Sequence, residues 1–355
     1  MLINEFKGIL LLIETLVGVK MKYINDSLKN KTILITGGAG FIGSNLAFYF
    51  QNNHPDAKVV VLDSFRSGET LSNGNLKSFG HFKNLLGFHG EIISGDINDK
   101  ELLKNLHDNY KFDYIFHEAA ISDTTALEQD LMIKTNVNAY KDLLDMAVSH
   151  GANMIYASSG ATYGNAESPQ RVGREAPNNV YGFSKLSMDY LTREYLKKVD
   201  IKIVGLRYFN VYGPREYFKN TTASMVLQFG HQILAGKRPK LFEGSDKILR
   251  DFIYIEDIIQ ANVKAMNPRT CGIYNVGTGK PRSFQDIVDI LQHELRTKLQ
   301  CEYIPNPFVG SYQFHTEANI ATTQELLGYT PAYEMEDGIA AYVDEIKRVY
   351  NEEVK

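Results

Sequence analysis

The chain has 355 residues, 44% of them hydrophobic, and a formal net charge of −4. That is enough apolar material for one large domain or two intimate ones, and the mild acidity without a long basic block excludes a nucleic-acid-binding surface. Two cysteines, Cys271 and Cys301, give neither a disulfide framework nor metal-ligand spacing, and the nine histidines form no ligand pattern, so no metal is expected.

The first twenty residues are apolar from Ile9 to Ile13, but Glu14 interrupts the run before it could span a bilayer. No signal-peptide cleavage site follows, and Met21 opens a second plausible start. Residues 1–20 therefore read as an extension outside the core, the alternative being a short helix docked on the surface or on a neighbouring subunit. Strands are then expected at 33–36, 58–63, 91–94, 113–117, 153–158 and 202–207. Helices are expected between them at 41–52, 99–108, 124–149 and 181–197. Short apolar runs alternating with helices predict an α/β fold, a Rossmann-like doubly wound parallel sheet covered on both faces. Residues 66–90 are polar and read as a long loop with one helical turn around Phe82 to Leu86. Beyond Pro214 the alternation fades into helices near 222–235, 256–266, 283–296 and 335–350. The expected division is a dinucleotide-binding domain of 21–210 plus about 247–277, and a smaller C-terminal α/β substrate lobe of 211–246 plus 278–350. A soluble cytoplasmic protein is expected, with no membrane partner and with assembly into a homo-oligomer.

The strand at 33–36 runs into Gly37, Gly38, Gly40 and Gly43. Such a turn lets backbone approach a pyrophosphate, and the following helix offers free N–H groups and the positive end of its dipole. Gly37, Gly40, Phe41, Ile42 and Gly43 are thus candidate cofactor contacts. Asp63 ends the second strand, where an acid commonly meets the adenosine ribose; a carboxylate there favours a free 2′-hydroxyl and hence NAD. Arg66, three residues on, could instead neutralise a 2′-phosphate.

Tyr181 and Lys185 stand at i and i+4, on one face of a helix. An ammonium there would draw the phenol pKa down, and the phenol could take a proton from a carbinol while hydride leaves its carbon. The strand at 153–158 runs into hydroxyls, and Ser159 could bond the same substrate oxygen. Arg215 and Arg250 are candidate phosphate ligands, because the guanidinium fork suits a pyrophosphate. His117, at a strand end, reads as structural.

With these residues in place the chain resembles the extended short-chain dehydrogenase/reductase family over about residues 30–340. The matching segments are ThrGlyGlyAlaGlyPheIleGly at 36–43, GlyAspIle at 95–97, HisGluAlaAla at 117–120, and ArgTyrPheAsnValTyrGlyProArg at 207–215. ArgAspPheIleTyrIleGluAsp at 250–257 completes the pattern. The resemblance implies a cofactor site that also includes Ser64, Asp96, Glu118, Ala119, Ala120, Ser122, Asn136 and Val211, with Ser159, Tyr181 and Lys185 as the catalytic set. HisGluAlaAlaIleSerAspThrThr at 117–125, AsnValTyrGlyPheSerLys at 179–185 and LysLeuPheGluGlySer at 240–245 are similar to a branch of sugar-nucleotide epimerases acting on ADP-linked heptoses. That branch implies inversion at C6 through a transient ketone with bound NADP, serving lipopolysaccharide inner-core synthesis. It further implies Lys219 as a second base that also meets the cofactor. Asn210, Thr221, Gln228, Phe242, Glu243, Gly244, Ser245, Arg250 and Tyr312 would hold the substrate. On balance NADP is expected rather than NAD. The loop at 66–90 is longer than the branch's pattern, and Gln228 stands where that pattern has a histidine.

Two further readings stay open: a 4-epimerase of UDP-sugars, and a non-catalytic dinucleotide sensor. An intact Ser159, Tyr181 and Lys185 set disfavours the sensor. A 4,6-dehydratase would carry an Asp-Glu pair where Gly160 and Ala161 stand.

Overall fold

The computed structural model describes residues 22–306 and 314–355. Seven parallel strands form the central sheet in the order β11-β6-β5-β4-β1-β2-β3. They are β1 Thr32–Thr36, β2 Lys58–Asp63, β3 Glu91–Ser94, β4 Tyr114–His117, β5 Asn153–Ser159, β6 Ile203–Tyr208 and β11 Gly272–Val276. The six strands expected from the alternation are present, and β11 is a seventh edge strand paired with β6.

Period-2 alternation sends neighbouring strand residues to opposite faces. Ile33, Ile35, Val59, Val61, Phe116 and Ile155 join one apolar cluster, and Leu34, Val60, Leu62, Ile115, Met154 and Tyr156 join the other. Helix α1 (Phe41–Asn53) covers the first face through Leu46, Ala47 and Phe50. Helix α2 (Lys100–Asn109) covers the second through Leu103 and Leu106. The helix expected at 124–149 begins later, as α3 (Gln129–Met132), passes through a π-helical turn (Ile133–Asn138) and continues as α4 (Ala139–His150). Residues just before it form a turn instead, because the Asp123 carboxylate accepts from the backbone N–H and hydroxyl of Thr125 (2.8 and 2.7 Å). Helix α5 (Val180–Tyr195) is capped by Asn179, whose side chain accepts from Gly182 N.

Beyond β6, short pairs β7–β10 (Asn210–Tyr212, Phe252–Tyr254), β9–β12 (Leu249–Arg250, Arg282–Ser283) and β8–β13 (Lys240–Phe242, Glu302–Ile304) alternate with helices. These helices are α6 (Met225–Leu234), α7 (Ile255–Lys264), α8 (Phe284–Glu294), α9 (Ala321–Leu327) and α10 (Met335–Val349). Helix α9 is short and lacks amphipathic periodicity, and it does not stand out in the sequence. Phe229, Ile233, Val288, Leu291, Ile339 and Ile346 bury in the same cluster as the first sheet face, so this part shares its core with the sheet.

A fully buried charge network braces α5 against β5 and β6. Asp189 lies two helical turns beyond Tyr181 and accepts from Arg207 Nε and Nη2 (2.9 and 2.7 Å) and from the Tyr156 hydroxyl (2.7 Å). Glu175 meets the same guanidinium at 2.7 Å. Arg207→Met would strand the Asp189 carboxylate without its cation, while Glu175 keeps Arg193 at 3.6 Å, and breaking such a buried pair costs about 3–5 kcal/mol. Chemical denaturation should record that loss, and an unchanged unfolding midpoint would show the network to be dispensable.

Candidate active site

A cleft with a cavity volume of about 320 Å³ lies at the carboxyl ends of the strands, where the strand order reverses between β1 and β4. After β1 it is lined by Gly37, Gly40, Phe41, Ile42 and Gly43. A Cβ on Gly43 would lie 2.3 Å from the Gly37 carbonyl oxygen, so only glycine lets α1 start this close to the turn. Gly38 faces away from the cleft, against Val61. After β2 come Asp63 and Ser64, and after β3 Asp96. The buried Asp63 carboxylate accepts from Ala39 N (2.9 Å) and Phe65 N (2.7 Å), and so clamps the glycine turn as well as facing the cleft. After β4 the lining is Glu118, Ala119, Ala120 and Ser122. Asn136 does not reach the cleft; it grips Ile121 from behind through both its amide groups (each 2.9 Å) and so sets the position of that segment.

Ser159, at the end of β5, and Tyr181 and Lys185, on α5, line the same cleft. Helix α5 approaches the turn after β5 (Gly160–Tyr163) so closely that a Cβ on Gly182 would lie 2.4 Å from the Ala161 carbonyl oxygen. The Ser159 hydroxyl accepts from Ala161 N at 3.1 Å, so it caps a strand end, and it lines the cleft together with the Tyr181 phenol. Lys185 Nζ donates to the Ala157 carbonyl at 2.7 Å and lies 5.9 Å from the Tyr181 ring centroid. Burial pushes the Lys185 ammonium down to about 8, against the pull of Glu118 and Asp189. Burial pushes Glu118 up to about 7, opposed by the Tyr208 hydroxyl (3.0 Å) and by Lys185. The phenol departs from the sequence expectation of a lowered pKa. Burial holds Tyr181 above its ordinary value, Ser159 pulls it down, and Glu118 pushes it further up. His117 is fully buried with Nδ1 2.8 Å from Thr36 Oγ1, a structural position as expected.

Val211, on β7, and Lys219, beyond it, line the same cleft. Lys219 Nζ lies 5.6 Å from the Phe41 ring centroid, and burial lowers its pKa while Glu216 raises it. Arg215, expected beside it as a phosphate ligand, has turned to α1, its Nη1 donating to Asn45 Oδ1 at 3.2 Å and its guanidinium 4.0 Å from the Phe48 ring centroid. Arg66 is also displaced from its expected place. Phe65 adopts a positive φ of 52°, which reverses the chain, and the Arg66 guanidinium donates to the Phe218 carbonyl instead of lining the cleft. Lys77, Ser78, Phe79, Gly80 and Thr222 line the cleft and were not anticipated.

Of the expected substrate residues, Ser159 lines this cavity and the others do not. Thr221 donates its hydroxyl to Asn75 Oδ1 (2.9 Å), and Gln228 Nε2 donates to the Ala223 carbonyl (2.7 Å). Asn210 stands exposed on β7. Phe242 ends β8, Glu243 N donates to the Ile304 carbonyl (2.9 Å), and Gly244 and Ser245 form the turn beyond. Ser245 is buried there, and its hydroxyl has no hydrogen-bond partner among the described residues. Arg250 is buried on β9, with Nη1 donating to the Leu249 carbonyl (2.9 Å). Tyr312 and residues 1–20 lie outside the described residues. No group of residues suited to hold a metal occurs among the described residues, and none of their helices is long and apolar enough to cross a membrane.

A dinucleotide fits this donor set: a glycine turn that a Cβ would block, a helix N-terminus, and acids at the ends of β2 and β3. Comparison with known proteins agrees. Residues 33–277 match the NAD dependent epimerase/dehydratase family, and the chain belongs to that family. It is 37% identical over 323 residues to the ADP-L-glycero-D-manno-heptose-6-epimerase of Brachyspira hyodysenteriae, covering 89% of this chain and 98% of that protein. The crystal structure of the Helicobacter pylori ADP-L-glycero-D-manno-heptose-6-epimerase superposes with a TM-score of 0.84 at 53% identity, over 92% of this chain and 99% of that one. The UDP-glucose 4-epimerase of Thermotoga maritima, solved with UDP-glucose, gives 0.80 at 26% identity, over 90% and 99%.

Proposed function

We propose that the protein is an isomerase that interconverts ADP-D-glycero-D-manno-heptose and ADP-L-glycero-D-manno-heptose by inverting C6 through a transient ketone. The observation that carries this reading is that two proton-handling groups from separate segments, Tyr181 on α5 and Lys219 beyond β7, line one cleft. A nicotinamide, when bound, supplies the acceptor and donor of hydride. Tyr181, reacting as the phenolate beside the Lys185 ammonium, takes the carbinol proton at Oη as the C6–H bond breaks. Lys185 keeps a positive charge beside the phenol at pH 7, since that lies below its pKa of about 8. Inversion needs the exposed end of the heptose to rotate, so that hydride returns to the other face of the ketone. The oxygen then points away from Tyr181 and receives its proton from Lys219. The identities of 37% and 53% with heptose epimerases support this substrate over the UDP-sugars of the 26% relative. The lobe of 211–246 and 278–350 is read as the substrate side, with the 240–250 segment and Tyr312 holding the sugar nucleotide.

We read the cofactor as NADP. Beyond Asp63, the lysine and two hydroxyls of Lys77, Ser64 and Ser78 suit a 2′-phosphate better than the displaced Arg66 does. The ion pair of Lys77 with Glu69 (3.0 Å) is solvent-exposed and so is easily exchanged for a phosphate. The test is a product assay with the two ADP-heptoses and with UDP-glucose, followed by mass spectrometry of the nucleotide released on denaturation. C6 inversion of the heptose and release of NADP are expected. Turnover of UDP-glucose alone would overturn the substrate, and release of NAD alone would overturn the cofactor.

A further inference from the structure

We propose that residues 66–81 form a strap that fastens the cleft shut over its dinucleotide, with Asn75 as the residue that joins the two lips. The strap is a small hairpin: Thr70 and Leu76 form an antiparallel bridge, and Lys77 N donates to the Glu69 carbonyl (2.9 Å). Its base is tied to both walls. His81 N donates to the Ala39 carbonyl (3.0 Å) in the glycine turn, while the His81 ring stacks on Phe218 at 3.7 Å between centroids, next to Lys219. Arg66 holds the Phe218 carbonyl from the same side.

The tip makes a second crossing. Asn75 Nδ2 donates to Asp123 Oδ2 (2.8 Å), on the segment that follows Ser122 of the cleft wall, and Asn75 Oδ1 accepts from the Thr221 hydroxyl (2.9 Å) on the Lys219 segment. Asn73 Nδ2 adds a parallel bond to Asp123 (2.8 Å). Asp123 is buried, and these amide bonds to a carboxylate are of the stronger, charge-assisted kind. Between base and tip, Leu71 is buried beside Ile121, Ala126 and Met132, in a cluster against which Tyr181 packs. The strap therefore lies across the cleft, with Lys77 to Gly80 forming part of its lining.

Such a fastening suits a reaction without net redox change, which needs the same dinucleotide at its start and its end. The inference rests on the dinucleotide reading of the cleft and is independent of the sugar. Full-length protein loaded with NADPH, then chased with excess NADP, reads the dissociation rate through nicotinamide fluorescence. Asn75→Ala removes one neutral and one charge-assisted bond, so dissociation should accelerate by about 10- to 30-fold. Leu71→Ala, which loosens the tip without touching a polar group, should accelerate it as well. Unfolding midpoints distinguish a loosened strap from a damaged fold, and a midpoint close to wild type is expected because Asn75 sits on a surface loop. Wild-type dissociation rates in both variants would overturn the strap while leaving the dinucleotide reading intact. A wild-type protein that binds neither NADPH nor NADH would overturn both.

Discussion

Tyr181→Phe should lower turnover by about 10² or more, within the usual reach of general acid–base catalysis. The fold should survive, because the ring stays and only a hydroxyl at the cleft is lost. The loss should fall on the maximal rate more than on KM, since the phenol handles a proton instead of holding the nucleotide. Lys185 adds a pH dependence. Its pKa is lowered to about 8, so the ammonium is present below that value and disappears as pH rises through it. Wild-type activity should therefore decline on the alkaline side from about pH 8, where the Lys185 ammonium that stabilises the reacting phenolate is lost. Near-normal turnover of Tyr181→Phe would remove Tyr181 from the chemistry.

Lys219→Ala should be as severe for epimerisation while cofactor and substrate still bind. Burial lowers the Lys219 pKa and makes the neutral amine accessible, and Glu216 opposes it. A group balanced in this way can take a proton in one direction and give it back in the other. The variant should bind ADP-heptose with an affinity close to wild type and lose roughly 10² or more in rate. If it interconverts the two heptoses at the wild-type rate, Lys219 is a bystander at the rim of the cleft.

The parts of the site that could be read from the sequence are those set by short-range geometry. The glycine turn, Asp63 at the end of β2, and Tyr181 with Lys185 one turn later depend only on spacing within one element, and all line the cleft. Arg66 and Arg215 could not be read in this way. Each lies at or beside a residue with positive φ, Phe65 at 52° and Arg215 itself at 74°, and such a reversal decides where a long side chain goes. Proximity in sequence suggested a phosphate, whereas the backbone directs one guanidinium to Phe218 and the other to Phe48. Lys77 to Gly80 were hidden for a related reason. They sit in a loop without periodicity, and their place in the cleft depends on distant partners such as Ala39, Asp123 and Thr221. Strand β11 was obscured because it is short and carries Asn275, a polar residue whose buried amide bonds the Gln170 carbonyl at 2.9 Å. The lowered phenol pKa expected from an i, i+4 lysine met the opposing effect of burial, which spacing alone does not reveal.

The most direct test of two opposed proton-handling groups is a single-turnover measurement of nicotinamide reduction in Tyr181→Phe and Lys219→Ala, each begun from each ADP-heptose epimer. Every epimer presents its C6 hydroxyl to one of the two groups, so oxidation of that epimer needs that group alone. The expected result is a mirror pattern: Lys219→Ala reduces the nicotinamide with one epimer only, and Tyr181→Phe with the other only. Failure of both variants with the same epimer, and success of both with the other, would contradict the assignment of the two groups to opposite faces of the ketone.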